Sequence, residues 1–163
     1  MATEKWIAGS GVGLTWTQIF NSGASLNSMA ALSSVMDNAD ITNGTALDIY
    51  ADLSIQLGSA AFAAPNKIDV FLYPLNGDGS TYGDGQVITT AGGSAKTPQP
   101  QYYVGSIVIP AATQAAEGML QRIVMPPGTF RFVLQHNAAA SGGAALASSG
   151  NAVQYRTYNR SVA

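Results

Sequence analysis

The stretch from Ala46 to Gly58, Ala-Leu-Asp-Ile-Tyr-Ala-Asp-Leu-Ser-Ile-Gln-Leu-Gly, alternates without a break. Leu47, Ile49, Ala51, Leu53, Ile55 and Leu57 are apolar, and Asp48, Tyr50, Asp52, Ser54 and Gln56 fall between them. A period of two puts one set on a core face and the other on a solvent or interface face. On a helix of period 3.6 the same residues would wind round every side. The pattern predicts a long, half-buried β-strand, above the usual strand length. The rest of the chain must supply what covers it.

Strand-like runs recur on both sides of this stretch. Thr15 to Phe20 reads as a short strand, and residues 30 to 36 as another before the turn chemistry of Asp37-Asn38 and Thr42-Asn43-Gly44. Lys67 to Leu75 is apolar on both faces, which implies a central strand or one whose outer face meets a partner. Asn76 to Gly85 is a loop by its Asn-Gly-Asp-Gly chemistry. Gln86 to Thr90 is a brief pairing segment and Ala91 to Pro100 a second loop. Tyr102 to Pro110, Met119 to Met125, Thr129 to Gln135 and Asn151 to Asn159 complete the set. Pro126-Pro127-Gly128 separates two of these runs and reads as a β-hairpin turn. No segment carries a convincing helical period. The expected fold is all-β, an antiparallel β-sandwich that jelly-roll connections would suit, with strand order left open. Residues 1 to 25 form an extended N-terminal arm or a first strand, and residues 26 to 163 the sandwich.

Charge decides which partners fit such a fold. Only 10% of the 163 residues are charged, against roughly 25% in an average soluble domain. A surface this poor in charge implies that neighbouring subunits cover part of it, so a homo-oligomer, with a trimer as one form, is expected. Net charge is −2 and no basic run exists, which argues against nucleic acid. No apolar run approaches the roughly 18 residues of a membrane span, and no signal peptide is readable at the start. Trp6 and Trp16 lie in a Gly-rich N-terminal segment with Phe20 close behind. With Tyr102, Tyr155 and Tyr158 they are the candidate interface residues, because large aromatics favour interface cores. The same tyrosines, with Tyr82 and Tyr103, offer the alternative of a sugar-stacking surface.

Catalytic chemistry finds little to work with. Without cysteine, thiolate metal sites and cysteine nucleophiles are absent. His136 is the single histidine, too few for a zinc site or a hydrolytic triad, and a structural place at a strand end is expected for it. Asp48 and Asp52 lie four residues apart on one strand face, roughly 13 Å by strand rise and too far for a glycosidase pair. They read as solubilising residues or as partners of Arg156 or Arg131. Gly9-Ser-Gly11-Val-Gly13 fails the dinucleotide pattern. Asn76, Asp78 and Ser80 copy the start of a calcium loop, but Val87 stands where its bidentate Glu belongs; a looser site would draw on Asp78 and Asp84. No cofactor, no metal and no enzymatic activity are expected.

Several segments together carry a resemblance. They are Ala31-Leu-Ser-Ser-Val-Met-Asp-Asn38, the alternating strand, Val70-Phe-Leu-Tyr-Pro74 and Met125-Pro-Pro-Gly-Thr-Phe-Arg-Phe132, followed by Ala147-Ser-Ser-Gly-Asn151 and Tyr155-Arg-Thr-Tyr-Asn159. The pattern resembles a family of small tailed-bacteriophage virion proteins over roughly residues 30 to 160. The resemblance implies a structural component of the virion, assembled in the host bacterial cytoplasm. Its expected role is capsid decoration (cement) through binding the major capsid protein or another virion protein. The alternative it leaves open is a tail- or fibre-associated module that recognises host glycans. It implies no active site.

Overall fold

The computed structural model describes residues 4–8, 15–20, 26–45, 47–61, 66–83, 85, 88, 96–110, 113–137 and 144–162. Ten strands appear among them: β1 (Glu4–Ala8), β2 (Thr17–Ile19), β3 (Ser34–Met36), β4 (Ile41–Asn43) and β5 (Tyr50–Ala61), then β6 (Asn66–Pro74), β7 (Tyr103–Ile109), β8 (Thr113–Val124), β9 (Gly128–Asn137) and β10 (Ala152–Val162). They form two antiparallel sheets packed face to face. In the first sheet β10 and β5 are central, β8 is one edge, and β1 and β2 share the other edge along β10. In the second, β9 and β6 are central, β7 is one edge, and β3 and β4 share the other along β9.

With β1/β2 and β3/β4 each counted as one interrupted strand, the sheets read 1-8-3-6 and 2-7-4-5. That order is a jelly roll. Among the described residues, the only consecutive strands bonded to each other are β6 and β7; the turns β7–β8 and β8–β9 pass from one sheet to the other. The expected hairpin at Pro126-Pro127-Gly128 is therefore absent. Its two runs belong to opposite sheets, and Gly128 takes φ +94° as the chain crosses between them. Local turn chemistry is the same for a hairpin and a crossover, because both need a sharp reversal with few N–H groups.

The core lies where inward residues of both sheets meet. Leu53 and Ile55 of β5 and Val153 of β10 face Ile68 and Val70 of β6 and Phe130, Phe132 and Leu134 of β9. Phe130 and Phe132 meet edge-to-face, 5.9 Å apart, the arrangement that the ring quadrupoles favour. At the β7–β8 flank the sheets approach closely enough that a Cβ on Gly118 would overlap Ile107.

The alternating stretch forms β5, but the strand begins at Tyr50. Asn43 holds the residues before it: its side-chain oxygen accepts from Asp48 N at 2.7 Å and its amide donates to Asp48 O at 2.8 Å. That bend turns Leu47 to φ +48° and leaves Leu47 and Ile49 exposed. Within residues 1 to 25, β1 pairs with Tyr158–Val162 and β2 with Val153–Tyr155. The Gly9 to Gly13 run lies outside the described residues.

Candidate interaction surfaces

The outer face of the first sheet is built round Asp52. Alternation points it away from the core, yet it is only 4% exposed because neighbours close over it. Arg156, directly opposite on β10, donates from Nε and Nη2 to Oδ2 at 3.0 and 2.8 Å. Tyr158 donates its hydroxyl to Oδ1 at 2.8 Å, and the backbone N–H of Arg122 does so at 3.1 Å. Arg122 can reach because β8 bulges here, two residues (Gln121 and Arg122) standing opposite Asp52, with Arg122 at φ +59°. Burial, then the bond to Asp52, pushes the Tyr158 phenol up to about 12. The cluster extends sideways through cation–π contacts: the Arg156 guanidinium lies 4.6 Å from the Trp16 ring centre and that of Arg122 5.8 Å from Tyr50. The expected pairing of Asp52 with Arg156 is present. Asp48 is buried and accepts from the Asn159 amide at 2.9 Å, so neither aspartate is a solubilising residue.

The outer face of the second sheet is covered by the chain itself. Phe71, Tyr73, Val133 and Met36 form a small second core with Tyr82 and Ile88 from the segment between β6 and β7. Tyr82 donates to Asp40 at 2.5 Å under the Arg131 guanidinium, which lies 4.4 Å from its ring centre and bonds Asp40 at 2.7 Å. The Tyr82 hydroxyl and then Arg131 hold the Asp40 carboxyl below its usual range. Farther along, Gln99 N donates to the Tyr73 hydroxyl and Ser34 Oγ to Lys96 O. The doubly apolar β6 is thus a central strand whose outer face is covered from within the chain. Asp78 accepts from Ser80 N, Thr81 N and Thr81 Oγ1 at 2.9, 2.9 and 2.6 Å, and the bonds to Thr81 lead in lowering its pKa to about 2. Its oxygens are occupied by its own turn. Asp84, the other proposed calcium ligand, lies outside the described residues, and no cluster of three or more metal-binding side chains occurs among those described.

One end of the sandwich is apolar and open. Leu47 and Ile49 before β5, Tyr103 at the start of β7 and Val124 at the end of β8 are all exposed. Met125 N bonds Ile49 O at 2.9 Å, which brings the first and last of these segments together. Beside them runs an open groove of about 460 Å³ between Tyr102–Val104 and Val124–Pro127, floored by Leu72 and Pro74.

The six aromatic residues expected at an interface have different fates. Phe20 is 8% exposed and packs in the core, and Tyr158 is spent on Asp52. Those two are engaged in the chain's own packing, through strand parity at Tyr158 and the corner after β2 at Phe20. Tyr155 is half-buried against the core, 6.4 Å from Phe132. Trp16 is half-buried on Arg156, and Tyr102 half-buried on Tyr73, 4.6 Å away, where it also lines the groove. Trp6 lies in β1 opposite Arg160; the placement of its side chain is outside the described residues. The exposed aliphatic end escaped sequence reasoning because alternation assigns Leu47 and Ile49 to the core.

Three buried carboxyl or imidazole groups remain; Asp69 pairs with Lys67 Nζ at 3.1 Å and accepts from the Asn137 amide at 2.9 Å. His136 is fully buried at the end of β9, and burial holds its pKa below 6.5. Asp37 accepts from Phe20 N at 3.0 Å and ties the corner between β2 and β3; burial raises its pKa. Comparison with models of protein families and with curated proteins finds no match to this chain.

Proposed function

We propose that this chain is a non-catalytic structural protein of a bacteriophage virion, a decoration protein that binds and stabilises the head lattice. The observation that carries the reading is the open apolar end, where Leu47, Ile49, Tyr103 and Val124 stand exposed and Asp48, between the first two, is buried on Asn159. An exposed cluster of this kind marks a protein-binding site more often than a solvated surface. The jelly-roll order supports the reading as an architecture that viral capsid proteins share with lectins and cupins, and the sequence resemblance supports it independently. The carboxylates are consumed in support of the same view: Asp40, Asp48, Asp52 and Asp78 each hold a neighbouring strand or turn. For the glycan-binding alternative, which draws on the tyrosines and the 76 to 85 loop, Tyr82, Tyr158 and Asp78 are engaged within the chain and Tyr103 is exposed.

The test is co-sedimentation of the purified chain with undecorated phage heads, beside Leu47→Asp and Val124→Asp. Saturable binding lost in both folded variants is the expected result. Binding unchanged in both, or binding to host-surface glycans in place of heads, would overturn the reading.

A further inference from the structure

We infer that β7 and β8 form one self-pairing flank, through which two copies of this chain join in a two-fold dimer with the sheets continuing across the interface. Among the described strands, β8 has only β5 beside it and β7 only β6. The two open edges lie on the same side of the sandwich, since Gly105 sits against Leu120 and Gly118 against Ile107. An open edge offers unpaired N–H and C=O groups, and proteins usually guard it with charge, proline or bulges. Here the guarding is thin. Thr113 to Gln121 carries one charge, Glu117, and Tyr103 to Ile109 none; neither run contains proline. Irregularities stand near the ends only, at Gln121–Arg122 in β8, in β5 opposite Ala115, and at Val104 in β7, and leave Ala116 to Leu120 and Gly105 to Ile109 in regular register. Val108, 69% exposed, and Met119, 44% exposed, add apolar surface beside the two edges.

A second copy is the occupant that fits. A partner must present two sheet edges about 10 Å apart, the separation of stacked sheets, with the matching offset. Another molecule of this chain does so by construction, and a two-fold axis lets one contact satisfy both edges. Register follows from parity. Core-facing residues must stay on the core side across the junction, so an antiparallel β8 pair is centred on a residue and not between two. Centring on Glu117 would set two carboxylates opposite each other, which is unfavourable. Centring on Ala116 leaves Glu117 without an opposite charge nearby. Centring on Gly118 places Glu117 opposite the second copy's Met119 and diagonal to the bulge that carries Arg122, within reach of long side chains. Arg122 is exposed on that same outer face. The geometry gives a closed dimer, unlike the trimer that composition alone allows, and does not depend on the virion reading.

Sedimentation velocity over a concentration series tests this with the full chain, the Ala115→Lys/Gln121→Lys double variant, whose two sites stand opposite each other in this register, Val108→Lys and a Thr17→Lys control on the far edge, each checked for cooperative melting. A dimer weakened ~100-fold or more in the edge variants is expected, because lysines would face lysines across the junction; the control stays dimeric. The chain has no cysteine, so a spin label at Gln114→Cys reports one distance. Antiparallel pairing about Gly118 separates the two labelled backbone positions by about 27 Å at strand rise. A monomer at every concentration, a trimer, or a dimer that persists in folded edge variants overturns the inference. Should the lysine variants fail to fold, the label distance decides: a peak near that value supports the pairing and any other separation rejects it.

Discussion

Asp52 illustrates how a side chain on the solvent side of a strand becomes structural. A carboxylate desolvated to this degree must be matched by charge and hydrogen bonds, and Arg156, Tyr158 and Arg122 N supply them. Replacing Asp52 with Asn leaves the guanidinium without its counter-charge. Breaking a buried pair costs about 3–5 kcal/mol, but the Arg156 side chain is 28% exposed, so the expected loss is nearer ~2 kcal/mol, read from the urea midpoint. His136 gives a pH prediction. Its pKa is held low in the fold, so as pH falls the unfolded chain takes up the proton first. Stability from this residue is complete above about pH 6.5 and declines below it towards the lower folded value. Asp37 acts in the opposite sense, its raised pKa making stability fall as pH climbs above the ordinary carboxylate value. The melting temperature of His136→Gln, compared with wild type at about pH 7 and about pH 5, isolates the histidine: the wild type should lose more on acidification. Residue types and their spacing offered Arg156 or Arg131 as partners of Asp52, beside a solubilising role, and the register of β10 on β5 selects Arg156. They did not disclose that Asp48 is buried, because that depends on Asn159 arriving from the far end of the chain.

At the scale of elements, the segment between β6 and β7 governs how the second sheet is finished. A sheet face bearing Phe71, Tyr73 and Val133 is unstable in water, and Tyr82 and Ile88 remove it from solvent. Gly83 makes the close approach possible. It takes φ +59°, and a Cβ there would overlap the Tyr73 ring. Gly83→Ala should lift this segment from the sheet and cost about 1–3 kcal/mol, with a rise in binding of a hydrophobic dye as the direct sign of uncovered surface. The apolar outer face of β6 was legible in its residues, and so was the loop that follows. That the second covers the first was not, since loop residues carry no periodic signal. β8 is longer than its sequence suggested for a related reason: Thr113 to Gly118 is rich in alanine and short of bulky alternation, and the strand is defined there by pairing with β5.

For the whole molecule, topology sets the folding behaviour. β1 pairs with β10, so Glu4 stands opposite Val162, and β10 also pairs with β5. Nearly every ladder joins distant parts of the chain, and loop-closure entropy must be overcome before such contacts stabilise anything. Refolding by stopped-flow fluorescence should fall in the roughly millisecond-to-second range typical of all-β sandwiches, and a microsecond phase carrying the full amplitude would contradict this topology. The low charge bears on the same scale: with so few repulsive groups, partly folded chains with open β8 or β10 edges should associate, so refolding yield should drop as protein concentration rises.

The sequence by itself determined the fold class and most strand positions, because the side-chain period of a strand is local and survives in any β topology. The apolar character of both faces of Lys67 to Leu75 and the chemistry of the turns were readable on the same ground. Only the tertiary structure decided the strand order, the sheet change at Pro126-Pro127-Gly128, the exposure of Leu47 and Ile49, and the burial of Phe20 and Tyr158. Each of those depends on which distant segment arrives alongside. Backbone hydrogen bonds are chemically identical from one strand to the next, so pairing order is settled by the closest joint packing of the two sheets and leaves no mark in the local pattern.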